Sequence, residues 1–380
     1  MDFSIPESIK EYLDSVRIFI KKEIEPIAEQ IDRDDDMPQF LIEKMGEMGL
    51  FGLSITQKYG GLGMTVLESC IITEELAKAG LAFVRLIGGG DLDISEFGSE
   101  EQKNRYLPKL STGKIIGATA MTESEAGSDA RNIKTSAVEV NGRLLLNGTK
   151  IMIQRADIAG LFSITAVTNP RKNSKGRITR FLVERKSKGL HVGKPDPKMG
   201  LHGIHTCQVI LTDCPISYND VLGEIGDGLS GMLETLNIAR LRIIGAAAIG
   251  NAQKLLEVSI DHAKRRIQFG KEIAAHQAIQ WMLSDMATKI HASRMMMYHA
   301  AWLADLGKDI RREAAIVKLF ASEMACHVAD MAIQIQGGYG YMKACPAERY
   351  FRDNRAARIM DGTSEIQRIV IARDLLKSWS

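Results

Sequence analysis

The stretch R-I-M-D-G-T-S-E-I-Q-R, residues 358–368, places an aspartate and a Gly-Thr-Ser turn directly ahead of an apolar, arginine-punctuated segment. Apolar residues then recur at three- and four-residue intervals as far as Leu376, which predicts a helix that begins at this turn. Thr363 or Ser364 can cap the helix, and Asp361 then lies on the loop just before its N-terminus. A carboxylate in that place suits a catalytic base, although a second capping acid beside the positive end of a helix gives the same pattern.

The composition is that of an ordinary globular protein, with 45% hydrophobic and 25% charged residues in a chain of 380. This length allows two or three domains with a large buried core. A net charge of +2 gives no reason to expect nucleic acid or an anionic membrane as a partner. No apolar run approaches the length of a membrane span, and the opening residues M-D-F-S-I-P lack the pattern of a signal peptide. We therefore expect a cytoplasmic protein without a membrane span.

Cysteine and histidine usage gives no sign of a metal or disulfide framework. His202 and His205 lie in L-H-G-I-H-T without a third ligand nearby, so we expect no metal site there. The odd number and scattered positions of the cysteines favour a reducing compartment. These cysteines are Cys70, Cys207, Cys214, Cys326 and Cys345.

The period of the apolar residues changes twice along the chain and predicts an α+β fold. We expect an N-terminal helical domain at 1–117, a middle antiparallel β domain at 118–225 and a C-terminal helical bundle of the four-helix type at 226–380. Strands are predicted at 143–153, 161–167, 179–184 and 208–211, with Asn-Gly hairpin turns at 141–142 and 147–148. Helices are predicted in the last domain at 229–265, 275–306, 310–336 and 364–379.

Glycine clusters mark further segments. R-L-I-G-G-G-D-L-D, residues 85–93, predicts a loop. Its triple glycine could cradle a phosphate, but it lacks a Gly-Lys-Ser/Thr ending and a preceding strand, which favours a flexible loop. Q-I-Q-G-G-Y-G-Y, residues 334–341, ends a helix with a glycine pair.

Two segments suggest contacts to a ring or a phosphate. In A-M-T-E-S-E-A-G-S-D, residues 120–129, small and hydroxyl residues form a turn after a strand-like run. Its backbone N–H groups and the side chains of Thr122 and Ser128 can face a ring or a phosphate. R-R-I-Q-F-G-K, residues 265–271, places arginines near a helix end, where phosphate contact and plain solvation are both possible.

These segments, in this order, resemble the acyl-CoA dehydrogenase family, and the resemblance covers the whole chain. It rests on V-R-I-F-I-K-K-E-I-E-P (16–26), K-Y-G-G-L-G-M (58–64), M-T-E-S-E-A-G-S-D (121–129), K-M-G-L-H-G (198–203), R-I-Q-F-G-K (266–271), Q-I-Q-G-G (334–338), P-A-E-R-Y-F-R-D (346–353) and D-G-T-S-E-I-Q-R (361–368).

The resemblance implies an FAD enzyme, usually a homotetramer, that oxidises an acyl-CoA thioester and passes electrons to electron-transferring flavoprotein. A carboxylate would remove the α-proton while the β-hydrogen leaves as hydride, and hydrogen bonds to the thioester carbonyl would stabilise the enolate. The implied FAD contacts are Met121, Thr122, Ser128, Ile153, Gln154, Thr363 and Glu365, with Arg266, Phe269, Gln277, Gln334 and Gly338 holding the FAD of a neighbouring subunit. The implied acyl-CoA contacts are Ser128, Asn237, Arg240 and Gly362.

The residue at the usual place of the base departs from the family pattern. Family members carry glutamate where this chain has Asp361, which is shorter by one C–C bond, roughly 1.5 Å of reach. A misplacement on the order of 1 Å can cost about 100-fold in rate. Some branches place the base just before the arginine matched by Arg240, but here that residue is Ala239.

A second aspartate falls where family members line the acyl pocket, usually with apolar or amide side chains. This residue is Asp91. One interpretation is a helix N-cap with Asp93 as its companion. The other is a second catalytic carboxylate across the substrate from Asp361, because an unpaired buried carboxylate is too costly to have no use.

Changes near the flavin favour an unusual substrate. Met152 replaces the aromatic residue that commonly covers the ring, Gln154 replaces a threonine, and Ser124 and Glu125 replace Pro-Gly. With two carboxylates, this pocket most resembles the alicyclic acyl-CoA dehydrogenases of anaerobic aromatic or cyclohexanecarboxylate metabolism. The resulting prediction is 1,4-dehydrogenation of cyclohex-1-ene-1-carboxyl-CoA to the cyclohexa-1,5-diene thioester.

Two alternatives stay open on the sequence. One is α,β-dehydrogenation of cyclohexanecarboxyl-CoA or a short or branched acyl-CoA with Asp361 as the base. The other is a flavin- or acyl-CoA-binding relative that has lost activity and serves as a subunit of a complex.

Overall fold

The chain forms three consecutive blocks in the computed structural model, which describes residues 7–89, 91–140, 142–172 and 176–378. A helical block comes first, a β-sheet block second and a second helical block last, so the predicted α+β fold is confirmed. No helix within these ranges is long and apolar enough to cross a membrane.

The first block consists of amphipathic helices that bury one apolar stripe each. In the first helix, Ile9, Leu13, Val16 and Phe19 are buried at the spacing of one helix face. The helices are α1 (Glu7–Phe19), α2 (Ala28–Asp34), α3 (Gln39–Glu47), α4 (Val66–Ala77), α5 (Leu81–Ile87), α6 (Asp91–Phe97) and α7 (Glu100–Ser111).

The predicted flexible loop at 85–93 is mostly helical, so that prediction is wrong. The end of α5 and the start of α6 fill most of it. Its glycines allow close packing: a Cβ on Gly88 would meet Cδ1 of Ile243 at 2.8 Å, and one on Gly89 would meet the carbonyl oxygen of Gly117 at 2.6 Å. The third glycine of the cluster lies outside the described residues. The break between α5 and α6 is therefore a tightly packed corner.

In the described part of the middle block, seven strands form one sheet. The strand order is β1-β4-β2-β3-β7-β6, and β5 pairs with β4. The strands are β1 (Ile116–Ala120), β2 (Ser136–Val140), β3 (Arg143–Gln154), β4 (Ala159–Val167), β5 (Ile178–Glu184), β6 (Leu190–Pro195) and β7 (Thr206–Ile216).

Two details of the β prediction need correction. The sheet is mixed, because β1 and β4 run parallel along their length. The connection between these parallel neighbours is long, as parallel pairing requires, and it contains β2 and β3. The Asn147-Gly148 pair forms no hairpin turn. It lies inside β3, where the register against β7 shifts between Leu146 and Gly148, so the glycine sits at a β-bulge.

The last block is a helical bundle whose core contains buried methionines and alanines. Met286, Met297 and Ala300 are fully buried in its core, which agrees with the packing role expected for its methionines. A π-helical segment, Arg240–Ala246, separates the first two helices. The helices are α8 (Gly228–Ala239), α9 (Ala247–Arg265), α10 (Gln277–Asp305), α11 (Arg311–Gln336), α12 (Pro346–Ala357) and α13 (Ser364–Ser378), and a two-stranded ribbon, β8 (Ile267–Gln268) with β9 (Lys271–Glu272), follows α9.

Candidate active site

A cavity of about 450 Å³ lies where the three blocks meet, and both predicted carboxylates line it. Asp91 reaches it from the start of α6, and Asp361 reaches it from the loop before α13. Other predicted site residues in its wall are Met121, Thr122, Ser128, Ile153, Gln154, Gly362 and Thr363. Predicted residues from segments that are far apart in the chain therefore line one cavity.

The carboxylate of Asp361 is held by an arginine from the first block. Nη1 of Arg85 lies 3.0 Å from Oδ2 of Asp361, and Nε of Arg240 donates to the Asp361 carbonyl oxygen at 3.1 Å. Asp361 has a φ of 54°, in the left-handed region that aspartate tolerates better than most residues. The helix cap is Thr363, whose Oγ1 accepts from the backbone N–H of Ile366 at 3.3 Å. Asp361 is therefore free of the capping role and faces the cavity.

Arg85 also ties the terminal loop to the end of β3. Its Nε donates to Oε1 of Gln154 at 2.7 Å, and Nε2 of Gln154 lies 3.3 Å from Sδ of Met360. Arg85 was not predicted to have a role, because nothing in the local sequence shows that a residue of α5 will face a loop near the C-terminus.

Asp91 is 5% exposed and forms a buried ion pair. Nη2 of Arg242 donates to its Oδ2 at 2.9 Å, and the backbone N–H of Gly89 approaches its Oδ1 at 3.4 Å. The expectation of an unpaired carboxylate is therefore wrong, since Arg242 from the π-helical segment neutralises it. The helix-cap interpretation also fits poorly, because the carboxylate turns back to Gly89 and across to Arg242.

Asp93 is not a capping companion of Asp91. Its Oδ1 accepts from Nη1 of Arg180 and from Oγ1 of Thr235, both at 2.6 Å. Burial raises the pKa of the Asp93 carboxyl, and Arg180 and Thr235 oppose that rise. Asp93 therefore joins α6 to the sheet and to α8, and it adds a polar surface to the cavity wall.

Two further cations lie near the carboxylates. Arg155 lines the cavity, and its guanidinium donates to the backbone carbonyls of Gly117 (3.1 Å) and Arg85. Burial and Arg85 lower the pKa of Arg155 to about 9, while Asp91 and Asp361 oppose the shift. Lys318 is buried under the terminal loop, and its Nζ donates to the carbonyl of Arg358 at 3.2 Å. Burial lowers the pKa of Lys318 to about 8, and the negative charge of Asp361 partly opposes this shift.

The cavity wall at 121–128 offers groups that suit a flavin ring. Hydroxyl groups of Thr122 and Ser128 and the apolar side chains of Met121 and Ile153 line the same space, as a flat heterocycle with polar edges requires. Lys150 holds this turn in place, because its buried Nζ donates to the Met121 carbonyl oxygen at 3.1 Å and pairs with Glu123 at 2.7 Å. These residues fit a bound FAD, although Gln154 is already engaged by Arg85.

The other predicted FAD residues lie elsewhere. Arg266 and Gly338 line a second cleft of about 520 Å³. Cζ of Arg266 lies over the Tyr339 ring, 5.7 Å from its centroid. Phe269, Gln277 and Gln334 are exposed and line neither cavity. A second, exposed group of residues is what the resemblance implies for contacts to the FAD of a neighbouring subunit.

The remaining predicted residues surround the loop that carries Asp361. Arg240 binds the loop through the Asp361 carbonyl oxygen, and its Nη1 donates to Oδ1 of Asn237 at 2.9 Å. Neither residue lines the cavity. Glu365 is exposed in the first turn of α13.

The two histidines considered as metal ligands join blocks of the chain. His205 bonds through Nδ1 to Asp157 and through Nε2 to the carbonyl of Asp35, both at 2.7 Å. Nδ1 of His202 lies 3.0 Å from Oδ1 of Asp32. Within the described ranges, no group of histidine, cysteine, aspartate and glutamate is arranged to hold a metal ion.

Comparison with known proteins identifies the family. The N-terminal, middle and C-terminal domain models of acyl-CoA dehydrogenases match residues 6–114, 118–214 and 226–376. The chain is 41% identical to acryloyl-CoA reductase (NADH) of Anaerotignum propionicum over 384 residues, which covers 99% of this chain and 96% of the relative. It is 40% identical over 368 residues to the caffeyl-CoA reductase–Etf complex subunit CarC of Acetobacterium woodii, with 95% and 96% covered.

The solved structures agree with this assignment. Butyryl-CoA dehydrogenase from Megasphaera elsdenii superposes with a TM-score of 0.95 at 33% identity, covering 99% of this chain and 100% of that one. The family resemblance of the sequence motifs is thereby confirmed. The chain belongs to the acyl-CoA dehydrogenases, a family of FAD-dependent oxidoreductases that act on CH–CH bonds.

Proposed function

We propose that the protein dehydrogenates an alicyclic acyl-CoA, with cyclohex-1-ene-1-carboxyl-CoA as the substrate and cyclohexa-1,5-diene-1-carboxyl-CoA as the product. The observation that carries this proposal is the pair Asp91 and Asp361 in the wall of one cavity. No glutamate is among the described residues that line this cavity. The family's usual base is thus replaced by a shorter acid, and a second acid is available at another place.

The chemistry of this substrate requires a displaced base. Its α-carbon, C1, carries no hydrogen because it is part of the C1=C2 double bond. A C3 proton is acidic, since the resulting anion is conjugated through C1=C2 with the thioester carbonyl. Loss of a proton from C3 and a hydride from C6 forms C2=C3 and C1=C6 while C1=C2 becomes a single bond. The product, renumbered from the carboxyl-bearing carbon, is the 1,5-diene, and FAD when bound supplies the hydride acceptor.

Asp91 is the acceptor that we assign to the C3 proton. C3 lies two bonds from the α-carbon, roughly 2.5 Å away, so a base aimed at the α-carbon is misplaced for it. Asp361 occupies the place of the usual α-proton acceptor and is held by Arg85 at 3.0 Å. Asp91 enters the cavity from a different element, α6, and its carboxylate, which is buried beside Arg242, is itself almost out of contact with water.

The cavity favours a compact acyl group. Leu92, Met232 and Ile243 supply apolar walls, whereas Asp93 and Thr235 present polar groups to the same space. A long alkyl chain would extend beyond the apolar walls to these polar groups, which are already hydrogen-bonded within the protein, and it would gain little from burial against them. A six-membered ring can instead use the apolar walls and leave the buried ion pairs intact.

A second candidate is α,β-dehydrogenation of cyclohexanecarboxyl-CoA or a short or branched acyl-CoA with Asp361 as base. The position of Asp361 on the terminal loop favours it, and so does the likeness to a protein named acryloyl-CoA reductase. In that case Asp91 would only shape the pocket.

The partners remain part of the proposal. Electron-transferring flavoprotein is the expected electron acceptor, and the likeness to a subunit of an Etf complex supports it. Self-association is supported by exposed apolar side chains, among them Phe269 at 93% and Trp281 at 61% exposed, and a homotetramer is the form that the family resemblance implies. A cytoplasmic location stays a prediction.

Anaerobic bleaching of the flavin absorption band tests the proposal. The panel contains the cyclohex-1-ene, cyclohexane, butyryl and octanoyl thioesters of CoA, and the proteins are wild type, Asp91→Asn and Asp361→Asn. Bleaching by the cyclohex-1-ene thioester that is lost in Asp91→Asn supports the proposal. Bleaching by saturated thioesters alone, unchanged in Asp91→Asn, favours the second candidate.

A further inference from the structure

We propose that Arg242 is the positioning residue that keeps Asp91 ionised and directed into the acyl-binding cavity, an inference that rests on the function proposed above. Nη2 of Arg242 lies 2.9 Å from Oδ2 of Asp91. The two residues are 3% and 5% exposed, and both line the cavity. The pair is therefore part of the wall that a bound acyl group would contact.

Arg242 is itself fixed in place. Its Nη1 donates to Oγ of Ser54 at 2.8 Å, so the guanidinium, which comes from the last block, binds both Ser54 and Asp91 of the first block. It belongs to the π-helical segment Arg240–Ala246, where the backbone departs from a regular α-helix. The other bond to the Asp91 carboxylate, from Gly89, is long at 3.4 Å. Arg242 is thus the main donor that sets the direction of the carboxylate.

The other charged groups around Asp91 do not replace this cation. Asp93 on the same helix carries like charge and is occupied by Arg180 at 2.6 Å. Arg155, beyond the end of β3, attracts Asp91 electrostatically, but its hydrogen bonds go to backbone carbonyls. Cys70 of α4 lies near Arg242, and burial raises the pKa of its thiol to about 12, so it stays neutral. Among the described residues, Arg242 alone forms an ion pair with Asp91.

The consequence concerns the ability of Asp91 to accept a proton. A carboxylate in a dry, low-dielectric site favours its protonated form unless a cation is close. A protonated Asp91 cannot take the C3 proton of the substrate. With Arg242 in place, the ionised form is available before the substrate arrives. Arg242 holds Oδ2, and Oδ1, which has only the long contact to Gly89, is the oxygen that we assign to the proton.

The test is the pH dependence of flavin reduction by cyclohex-1-ene-1-carboxyl-CoA in wild type, Arg242→Met and Arg242→Lys. In Arg242→Met the rate at pH 7 should fall about 100-fold and recover as the pH rises, because hydroxide then ionises Asp91. Arg242→Lys keeps the charge and should retain the wild-type pH profile with a smaller loss. A rate in Arg242→Met that falls equally at every pH, or that does not fall, overturns the inference.

A second measurement separates this inference from the proposed function. If wild type is not reduced by this thioester, the proposed function fails, and infrared spectroscopy then decides the role of Arg242. Arg242→Met at neutral pH should show a protonated-carboxyl band that is absent from wild type and from the double variant Arg242→Met/Asp91→Asn. The double variant has no buried charge at this place, so it also serves as the folded control. Without that band in Arg242→Met, the inference is wrong.

Discussion

Asp91 and Asp361 face the same cavity from the first and last blocks of the chain, and each carboxylate is held by an arginine. Arg242 lies 2.9 Å from Asp91, and Arg85 lies 3.0 Å from Asp361. The Asp91 pair is almost completely buried, whereas the Asp361 pair is partly exposed. This asymmetry supports different tasks for the two acids.

Replacing Asp361 by glutamate should extend the carboxylate by roughly 1.5 Å toward the α-carbon. We expect Asp361→Glu to increase flavin reduction by cyclohexanecarboxyl-CoA by about 10- to 100-fold, with little gain on the cyclohex-1-ene thioester, which has no α-hydrogen. Stopped-flow absorbance with both thioesters measures this, and Asp361→Asn is the matched control. An equal gain on both substrates would show that Asp361 also serves the unsaturated thioester.

The buried pair of Lys150 and Glu123 should stabilise both the fold and the flavin-facing turn. Lys150→Met leaves the carboxylate of Glu123 buried without its cation, which should cost about 3–5 kcal/mol. The Met121 carbonyl also loses its donor, so FAD should dissociate more readily. Thermal unfolding and flavin retention on gel filtration measure the two effects. A variant with unchanged Tm and flavin content would remove this role from Lys150.

Gly89 should tolerate no side chain. A Cβ there would meet the Gly117 carbonyl oxygen at 2.6 Å and the guanidinium of Arg155 still more closely. We expect Gly89→Ala to destabilise the protein by about 1–3 kcal/mol and to slow flavin reduction by displacing the neighbouring Asp91. Gly127→Ala is the matched control, because a Cβ at Gly127 has nothing within 4 Å. If both variants unfold at the same temperature, the corner between α5 and α6 is less tightly packed than described.

His205 should make stability depend on pH. Burial lowers its pKa, but the hydrogen bonds to Asp157 and Asp35 outweigh burial and raise the pKa overall. A folded-state pKa above the unfolded value means that the contribution of His205 is complete below the unfolded pKa of about 6.5 and is lost as the pH rises through the folded pKa.

The Tm difference between wild type and His205→Gln should therefore be larger at pH 6 than at pH 9. The exposed His191, substituted in the same way, is the control and should show no such trend. A Tm difference for His205→Gln that stays constant between pH 6 and pH 9 would contradict the assigned role.

The sequence predicted the order of helical and β blocks because the spacing of apolar residues is a local property. The resemblance then assembled Met121, Ser128, Asp91 and Asp361 into one pocket. Arg85 was not recognised as a partner of Asp361, because the sequence around an arginine in a helix does not show which distant residue it will contact.

The wrong turn prediction and the missed arginine have related causes. Asn147-Gly148 has the composition of a hairpin turn, yet pairing with β7 keeps it inside a strand as a bulge. Arg242 was missed for the same reason as Arg85, because its partner Asp91 lies in another block. Tertiary contacts of this kind decide both the register of a strand and the environment of a catalytic group.

The most direct test of the 1,4-elimination is the fate of deuterium at C3 and C5 of cyclohex-1-ene-1-carboxyl-CoA. The same diene could form by removal of hydrogens from C5 and C6, so the product alone does not distinguish the routes. With Asp91 as acceptor, substrate dideuterated at C3 should lose one deuterium and react more slowly than unlabelled substrate, while substrate dideuterated at C5 keeps both. Loss of deuterium from C5 with full retention at C3 would contradict the account.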